Sequence, residues 1–363
     1  MVVPVNSQFP AKWQEVINRI AETADQSDRF GIPRSHFNDL AQVGAHGSPE
    51  SSPQNVDQWR ELAERIAGAD ASTWFCWVQH HTPLRTLELG GNQPAAQSLQ
   101  QQWLTGLQSG EFLAAVAFAH IRRPGPANPV ARKINGDWQL GGSLDWVTSW
   151  DIADVVMVMA LTEDKSELVT FFIPTSEFME VIPGSTVGEP LELLSMSGTH
   201  TRPIRFDHSV IPRHFVFNVG SFADWQKTDA RKTITPNPAA IGLACAAIEE
   251  LESIGIARSN PEVLNLAATL TRKCNSLRDT AYSLLDQGDA AQDSDLMQSR
   301  VEILEFAREC TAAVVIARAG AGMQSGRSAE RRVREAMFLQ VQAQTELTRN
   351  LALGRINQRY SDE

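Results

Sequence analysis

Apolar and polar positions along the chain change their period twice, which divides it into three stretches. From residue 1 to about 112 the pattern is helical. In "PAKWQEVINRIAETADQSD", Trp13, Val16, Ile17 and Ile20 fall on one face and polar residues on the other, as an amphipathic helix requires. "IPRSHFNDLAQVGAHG" follows, with Pro33 suited to a first turn and Gly44 and Gly47 to a stop. "NVDQWRELAERIAGADAST" predicts a third amphipathic helix. "STWFCWVQHHTPLRTL" is apolar nearly all round and predicts a buried helix, capped by Ser or Thr and broken or kinked at Pro83.

Between about 113 and 217 the runs shorten and become β-branched and aromatic. "FLAAVAFAH", "WQLGGSLDWVTS", "DVVMVMALT", "ELVTFFIP", "MEVIPG" and "TRPIRFDHSVIP" predict strands of a compact barrel or sandwich. "NGDW" at 135–138 predicts a tight hairpin, because Asn-Gly adopts the positive φ angles of a two-residue turn. From about 218 four long segments return to the helical period, up to "SAERRVREAMFLQVQAQTELTRNLALGRI", and predict a four-helix bundle. The expected fold class is therefore a multidomain α+β protein: an N-terminal helical domain (1–112), a middle β-domain (113–217) and a C-terminal helical bundle (218–363).

Composition narrows the partners. A net charge of −11 argues against nucleic acid and against an anionic membrane surface. No apolar run approaches the ~20 residues of a membrane span. The start, "MVVPVNSQFPAKWQ", lacks the basic and apolar regions of a secretory leader, so a cytoplasmic location is expected. Cys76, Cys245, Cys274 and Cys310 are not spaced as metal ligands and read as reduced, mostly buried thiols; no metal is expected. The C-terminal helices, such as "ECTAAVVIARAGAG", are too apolar for the surface of a lone bundle and predict a homodimer or homotetramer packed through them.

For chemistry, "CWVQHHTPLR" stands out. Gln79, His80 and His81 lie at the end of an otherwise apolar helix, where buried polar groups need partners. His80 and His81 are candidate catalytic residues that would hold a substrate or shuttle a proton; a satisfied core histidine beside a surface one is the competing reading. His200 and His208 read as structural. No phosphate loop, nucleophile elbow or zinc pattern occurs.

Four segments resemble motifs of the acyl-CoA dehydrogenase superfamily, and together they cover almost the whole chain: "DRFGIPRSHFNDLAQVGAHG" (28–47), "INGDWQLGGSLDWVTSWDIADVVMVMA" (134–160), "MSGTHTRPIRFDHSVIP" (196–212) and "SAERRVREAMFLQVQAQTELTR" (328–349). The resemblance implies a flavin between the β-domain and the bundle, with an acyl-thioester substrate, possible exchange with a flavin reductase, and FAD or FMN as cofactor. It assigns Trp146, Val147, Thr148 and Ser149 of "WVTS", together with Phe118 and His120 at the end of "AFAH", to the isoalloxazine. Gly320 and Gly322 of "AGAG", Gln340 and Thr345 correspond to a dinucleotide site shared with a neighbouring subunit. Gln79, Gln342 and Ala343 correspond to substrate-facing positions.

The chain also departs from that pattern. Where relatives carry a proton-abstracting Glu, this sequence has Gln342 and Ala343, neither of which is a base near neutral pH. Lys232 and Asp229 occupy the region where some relatives place the base instead. Arg258 is the one cation in "SIGIARSNPEVLN", shortened relative to the family's pyrophosphate-binding segment. Arg122 and Arg123 of "IRRPGPANP" read either as phosphate ligands or as a solvated loop. Three functions stay open: an acyl-CoA dehydrogenase-like flavin oxidoreductase, a two-component flavin monooxygenase using reduced flavin and O2, and a non-catalytic paralogue binding an acyl or aromatic ligand.

Overall fold

A computed structural model describes residues 9–47 and 56–361. The first eight residues, which opened the stretch weighed as a leader, lie outside the described residues. Five helices come first: α1 (Ala11–Phe30), α2 (Ser35–Gln42), α3 (Val56–Ala69), α4 (Ala71–Leu89) and α5 (Ala96–Ser109). Trp13, Val16, Ile17 and Ile20 of α1 are all buried, as the period predicts. The cap of α4 is Asp70 rather than Ser or Thr. Its carboxylate accepts from the Ser72 amide at 3.0 Å and the Thr73 hydroxyl at 2.6 Å. Pro83 does not break α4, which runs on to Leu89; its missing N–H leaves the Gln79 carbonyl without that helical donor.

Eight strands follow: β1 (Ala114–Ala117), β2 (Val130–Ile134), β3 (Asp137–Val147), β4 (Val155–Thr162), β5 (Glu167–Pro174), β6 (Ser185–Val187), β7 (Arg202–Ile211) and β8 (Val216–Ser221). Their order is β6-β7-β3-β2-β4-β5-β8, and β1 pairs with β4 in parallel. A bridge from Val116 to Thr148 ties β1 back to the end of β3, so this part of the sheet closes on itself. The β2–β3 turn is Asn135-Gly136 at φ 46° and 90°, the expected hairpin. β4 is apolar throughout because both its faces are covered. Val156, Val158 and Ala160 enter the barrel core, whereas Val155, Met157 and Met159 face α4 and α5. "MEVIPG" departs from expectation: residues Phe178–Val181 form a short helix, α6, which places both Phe178 and Ile182 in the barrel core, and pairing begins only at Ser185.

The remaining helices are α7 (Phe222–Ile234), α8 (Pro238–Ala257), α9 (Pro261–Asp286), α10 (Asp293–Arg318), α11 (Ser328–Leu339) and α12 (Glu346–Ser361). The last predicted helix is thus two. Ala343 at φ 52° breaks it, and the Thr345 hydroxyl, 3.4 Å from the Thr348 amide, caps α12. One apolar core runs from α1–α4 into α8–α11, including Trp13, Trp59, Trp77, Leu243, Phe306 and Leu339.

Candidate functional site

A cavity of about 1170 Å³ lies where α4, the sheet, α7 and α11 meet. The helix α4 gives it Phe75, Val78, Gln79, Thr82 and Thr86, whose spacing places them on one face. From the sheet come Phe118, Trp146, Thr148, Met157, Met159, Leu168 and Thr170. Trp225, Thr228, Asp229 and Lys232 line it from α7 at i, i+3, i+4 and i+7. Met337, Phe338, Gln342 and Ala343 line it from α11 and the turn after it.

Strand alternation explains the sheet wall. Trp146 and Thr148 face the cavity, and Val147 between them is fully buried in the barrel core. Trp146 stays 46% exposed, a large indole presented to the void. The Thr148 hydroxyl is 3.3 Å from that of Thr201. Ser149 is buried at φ 69°, its amide donating to the Thr199 carbonyl at 2.9 Å, so it turns the chain and does not line the wall. Phe118 faces in and carries the Arg122 guanidinium over its ring at 4.8 Å. His120 turns away and donates from Nε2 to the Met159 carbonyl at 2.7 Å; burial lowers its pKa to about 4.

The histidine pair is not at the wall. One residue along a helix is a rotation of about 100°, so His80 and His81 rotate off the face that carries Gln79. His80 is completely buried. Its Nδ1 accepts from the Ala114 amide at 3.1 Å, which fixes the hydrogen on Nε2, and that nitrogen donates to the Leu107 carbonyl at 3.2 Å. Burial holds its pKa well below the usual imidazole range, and the neighbouring His46 and His81 reinforce this. His81 bonds the His46 carbonyl at 3.2 Å and meets Trp77 edge to face at 4.4 Å. Neither histidine, expected as catalytic, lines the cavity; His80 ties α4 to β1 and to the end of α5.

Gln342 and Ala343 line the cavity. The Gln342 side-chain oxygen accepts from the Asn237 amide at 3.3 Å, and its main-chain carbonyl accepts from Arg300 at 2.8 Å. Arg300 is 3% exposed, also donates to the Thr235 carbonyl at 2.8 Å, and has its pKa lowered to about 10 by burial and by Arg122. It thereby joins the end of α7 to the turn after α11. Gln340 instead donates to the Leu304 carbonyl at 2.9 Å, and Thr345 caps α12; neither lines the cavity. Gly320 and Gly322 lie in a 3-10 turn (Ala319–Met323) after α10 and are not part of the wall. Arg258 donates to the Ala317 carbonyl at 2.7 Å, also away from the wall.

Sequence reasoning missed the pair that dominates the α7 side. Arg122 binds Asp229 in a bidentate clamp at 2.6 and 2.7 Å, so this arginine is not in a solvated loop. Arg123 pairs with Asp145 outside. The face Trp225, Thr228, Asp229, Lys232 was the available signal. Among the described residues, the carboxylates lining the cavity are Asp224 and Asp229, and no His or Cys lines it.

No family model matches the chain. Over 201 residues it is 26% identical to the benzylmalonyl-CoA dehydrogenase of Aromatoleum aromaticum, covering 53% of this chain and 52% of that protein. The chain spans about half the length of the curated relatives it matches. Similarity to solved structures is more extensive. A glutaryl-coenzyme A dehydrogenase in complex with glutaryl-CoA superposes with a TM-score of 0.77 at 17% identity, covering 98% of this chain and 97% of the other. A glutaryl-CoA dehydrogenase of Mycobacterium smegmatis in complex with FADH2 gives 0.75 at 16% identity, covering 96% and 94%. The fold is that of the acyl-CoA dehydrogenases. In sequence the chain resembles these dehydrogenases over about half its length.

Proposed function

We propose that the protein is a flavin-dependent oxidoreductase acting on an acyl thioester, with its proton-accepting group displaced from the turn after α11. The observation that carries this reading is the cavity wall itself. A half-exposed indole, Trp146, stands beside Thr148 and Phe118 in a void large enough for more than one ligand. That surface fits a flat heteroaromatic ring: Trp146 and Phe118 offer stacking area, and Thr148 a hydroxyl for the ring's polar edge. Bound there, a flavin would accept the electrons removed from the substrate. The two solved relatives, one holding FADH2 and one an acyl-CoA, favour FAD and a thioester as the pair of ligands.

The remaining chemistry falls to this chain's own side chains. Gln342 and Ala343 provide no base, and Asp229 and Asp224 are the wall's carboxylates. We assign proton acceptance to Asp229, on α7. Arg122 occupies both of its oxygens, so that clamp must open before Asp229 can take a proton, and turnover is expected to be slow. A two-component monooxygenase has less support, because the histidines that favoured it lie off the wall. Assembly as a homodimer or homotetramer accords with the exposed apolar residues Ile316 and Met323 near the end of α10. The family resemblance assigns Gly320 and Gly322 to a dinucleotide shared with a neighbouring subunit, which such an assembly would permit.

The test is anaerobic. Protein loaded with FAD should lose its flavin absorbance on addition of a short or branched acyl-CoA. Asp229→Asn should abolish that bleaching, and Gln342→Glu should accelerate it by restoring a carboxylate. Failure to bind FAD or FMN in either redox state refutes the proposal.

A further inference from the structure

Three cysteines lie on three adjacent helices of the C-terminal bundle: Cys245 on α8, Cys274 on α9 and Cys310 on α10. Two of them meet. The sulfurs of Cys245 and Cys274 are 3.5 Å apart across the α8–α9 interface. Cys245 is partly exposed, whereas Cys76, Cys274 and Cys310 are buried. The Arg278 guanidinium lies 2.9 Å from the Cys245 sulfur through Nη2, the same nitrogen that donates to the buried carboxylate of Glu64 at 2.8 Å and is held in place by it. Tyr282 also bonds Glu64.

We propose that Cys245 and Cys274 are a redox-active dithiol that hydrogen peroxide converts to an intramolecular disulfide. The two thiols share a proton at this distance. The Cys245 S–H eases ionisation of Cys274, Arg278 adds to it, and loss of the second proton, from Cys245, is opposed by that charge; passage of the shared proton across the 3.5 Å contact moves the charge to Cys245. The partly exposed Cys245 is the sulfur a small oxidant meets first. Its thiolate attacks one peroxide oxygen, the O–O bond breaks, hydroxide leaves and a sulfenic acid forms. The Cys274 sulfur then displaces the hydroxyl from that sulfenic acid. The S–S bond forms and water departs with the Cys274 proton. In balance, two thiols and one peroxide give one disulfide and two waters. The sulfurs must close from 3.5 Å to the ~2.05 Å of a disulfide. Cys76 and Cys310 differ in kind: burial pushes the Cys76 thiol up to about 12 and raises that of Cys310 as well, and among the described residues no guanidinium hydrogen-bonds either sulfur.

The experiment uses the full chain, reduced and then treated with hydrogen peroxide, followed by denaturing alkylation and mass spectrometry. The expected result is loss of two of the four alkylatable thiols and a Cys245–Cys274 cross-linked peptide. In Cys274→Ser, the disulfide is lost and a dimedone adduct accumulates on Cys245. In Cys76→Ala the disulfide forms at the wild-type rate, which keeps the test valid if one variant folds poorly. Retention of all four thiols, or a Cys274–Cys310 cross-link in place of the expected one, overturns the proposal.

Discussion

His80→Ala tests the placement of the histidine pair. The wild-type ring is fully buried and packs against His46 at 4.2 Å between centroids, tilted by 36°. Truncation leaves the Leu107 carbonyl and the Ala114 amide without the partners they have at 3.2 and 3.1 Å. Each buried polar group left unpaired costs about 1–3 kcal/mol. The void left by the ring adds about 2 kcal/mol or more. The sum is about 4 kcal/mol or more, a large part of the ~5–15 kcal/mol that keeps a protein folded. A fall in melting temperature of about 10 °C follows. Urea denaturation and thermal melts of the purified variant at pH 7.5 read this directly. A variant that melts within a degree of wild type while losing all flavin-dependent turnover would refute the reasoning and return His80 to the site.

Trp146→Ala should weaken FAD binding tenfold or more, since loss of one aromatic contact is worth about 1.5 kcal/mol beyond its area, with little change in melting temperature; an unchanged Kd contradicts it. Glu64→Gln should cost about 3–5 kcal/mol by stripping the buried Arg278 of its bidentate partner, read by urea midpoint. Acid should destabilise the fold through its buried histidines. Burial lowers the pKa of His46 to about 3, with His81 and Arg34 adding to it, and that of His36 to about 4. The unfolded chain then binds protons that the folded chain refuses. Stability is retained above pH ~6.5 and falls as the pH drops toward the folded values, by about 2 kcal/mol per histidine at pH 5. Among the described residues both ring nitrogens of His46 lack hydrogen-bond partners, so His46→Phe should cost little at pH 7.5 and flatten the slope between pH 7 and 5; an unchanged slope counts against this.

Period and turn chemistry made most of the architecture legible. The face of α1, the Asn135-Gly136 hairpin and the doubly apolar β4 follow from the residues alone. Alternation likewise places Trp146 and Thr148 on one side and Val147 on the other. The phase of α4 was harder to read, because a helix apolar all round offers no dominant face. The polar set Gln79, Thr82 and Thr86, at i, i+3 and i+7, marked the cavity side, and the eye-catching histidines did not. The Arg122–Asp229 clamp joins residues 107 positions apart, and the Cys245–Cys274 pair 29 apart. Only the packing of helices brings either together. The break between α11 and α12 carries no Gly or Pro; it comes from a left-handed Ala343, which sequence patterns do not mark.

The central claim is that the wall built by Trp146, Thr148 and Phe118 holds a flavin next to an acyl thioester. The most direct measurement is an anaerobic titration of the FAD-loaded protein with acyl-CoA, followed at the flavin absorbance band, for wild type and Trp146→Ala side by side. The account predicts saturable bleaching of the wild type and loss of flavin retention in the variant. A wild-type protein that takes up neither FAD nor FMN, or a flavin bound with equal affinity in both proteins, would contradict it.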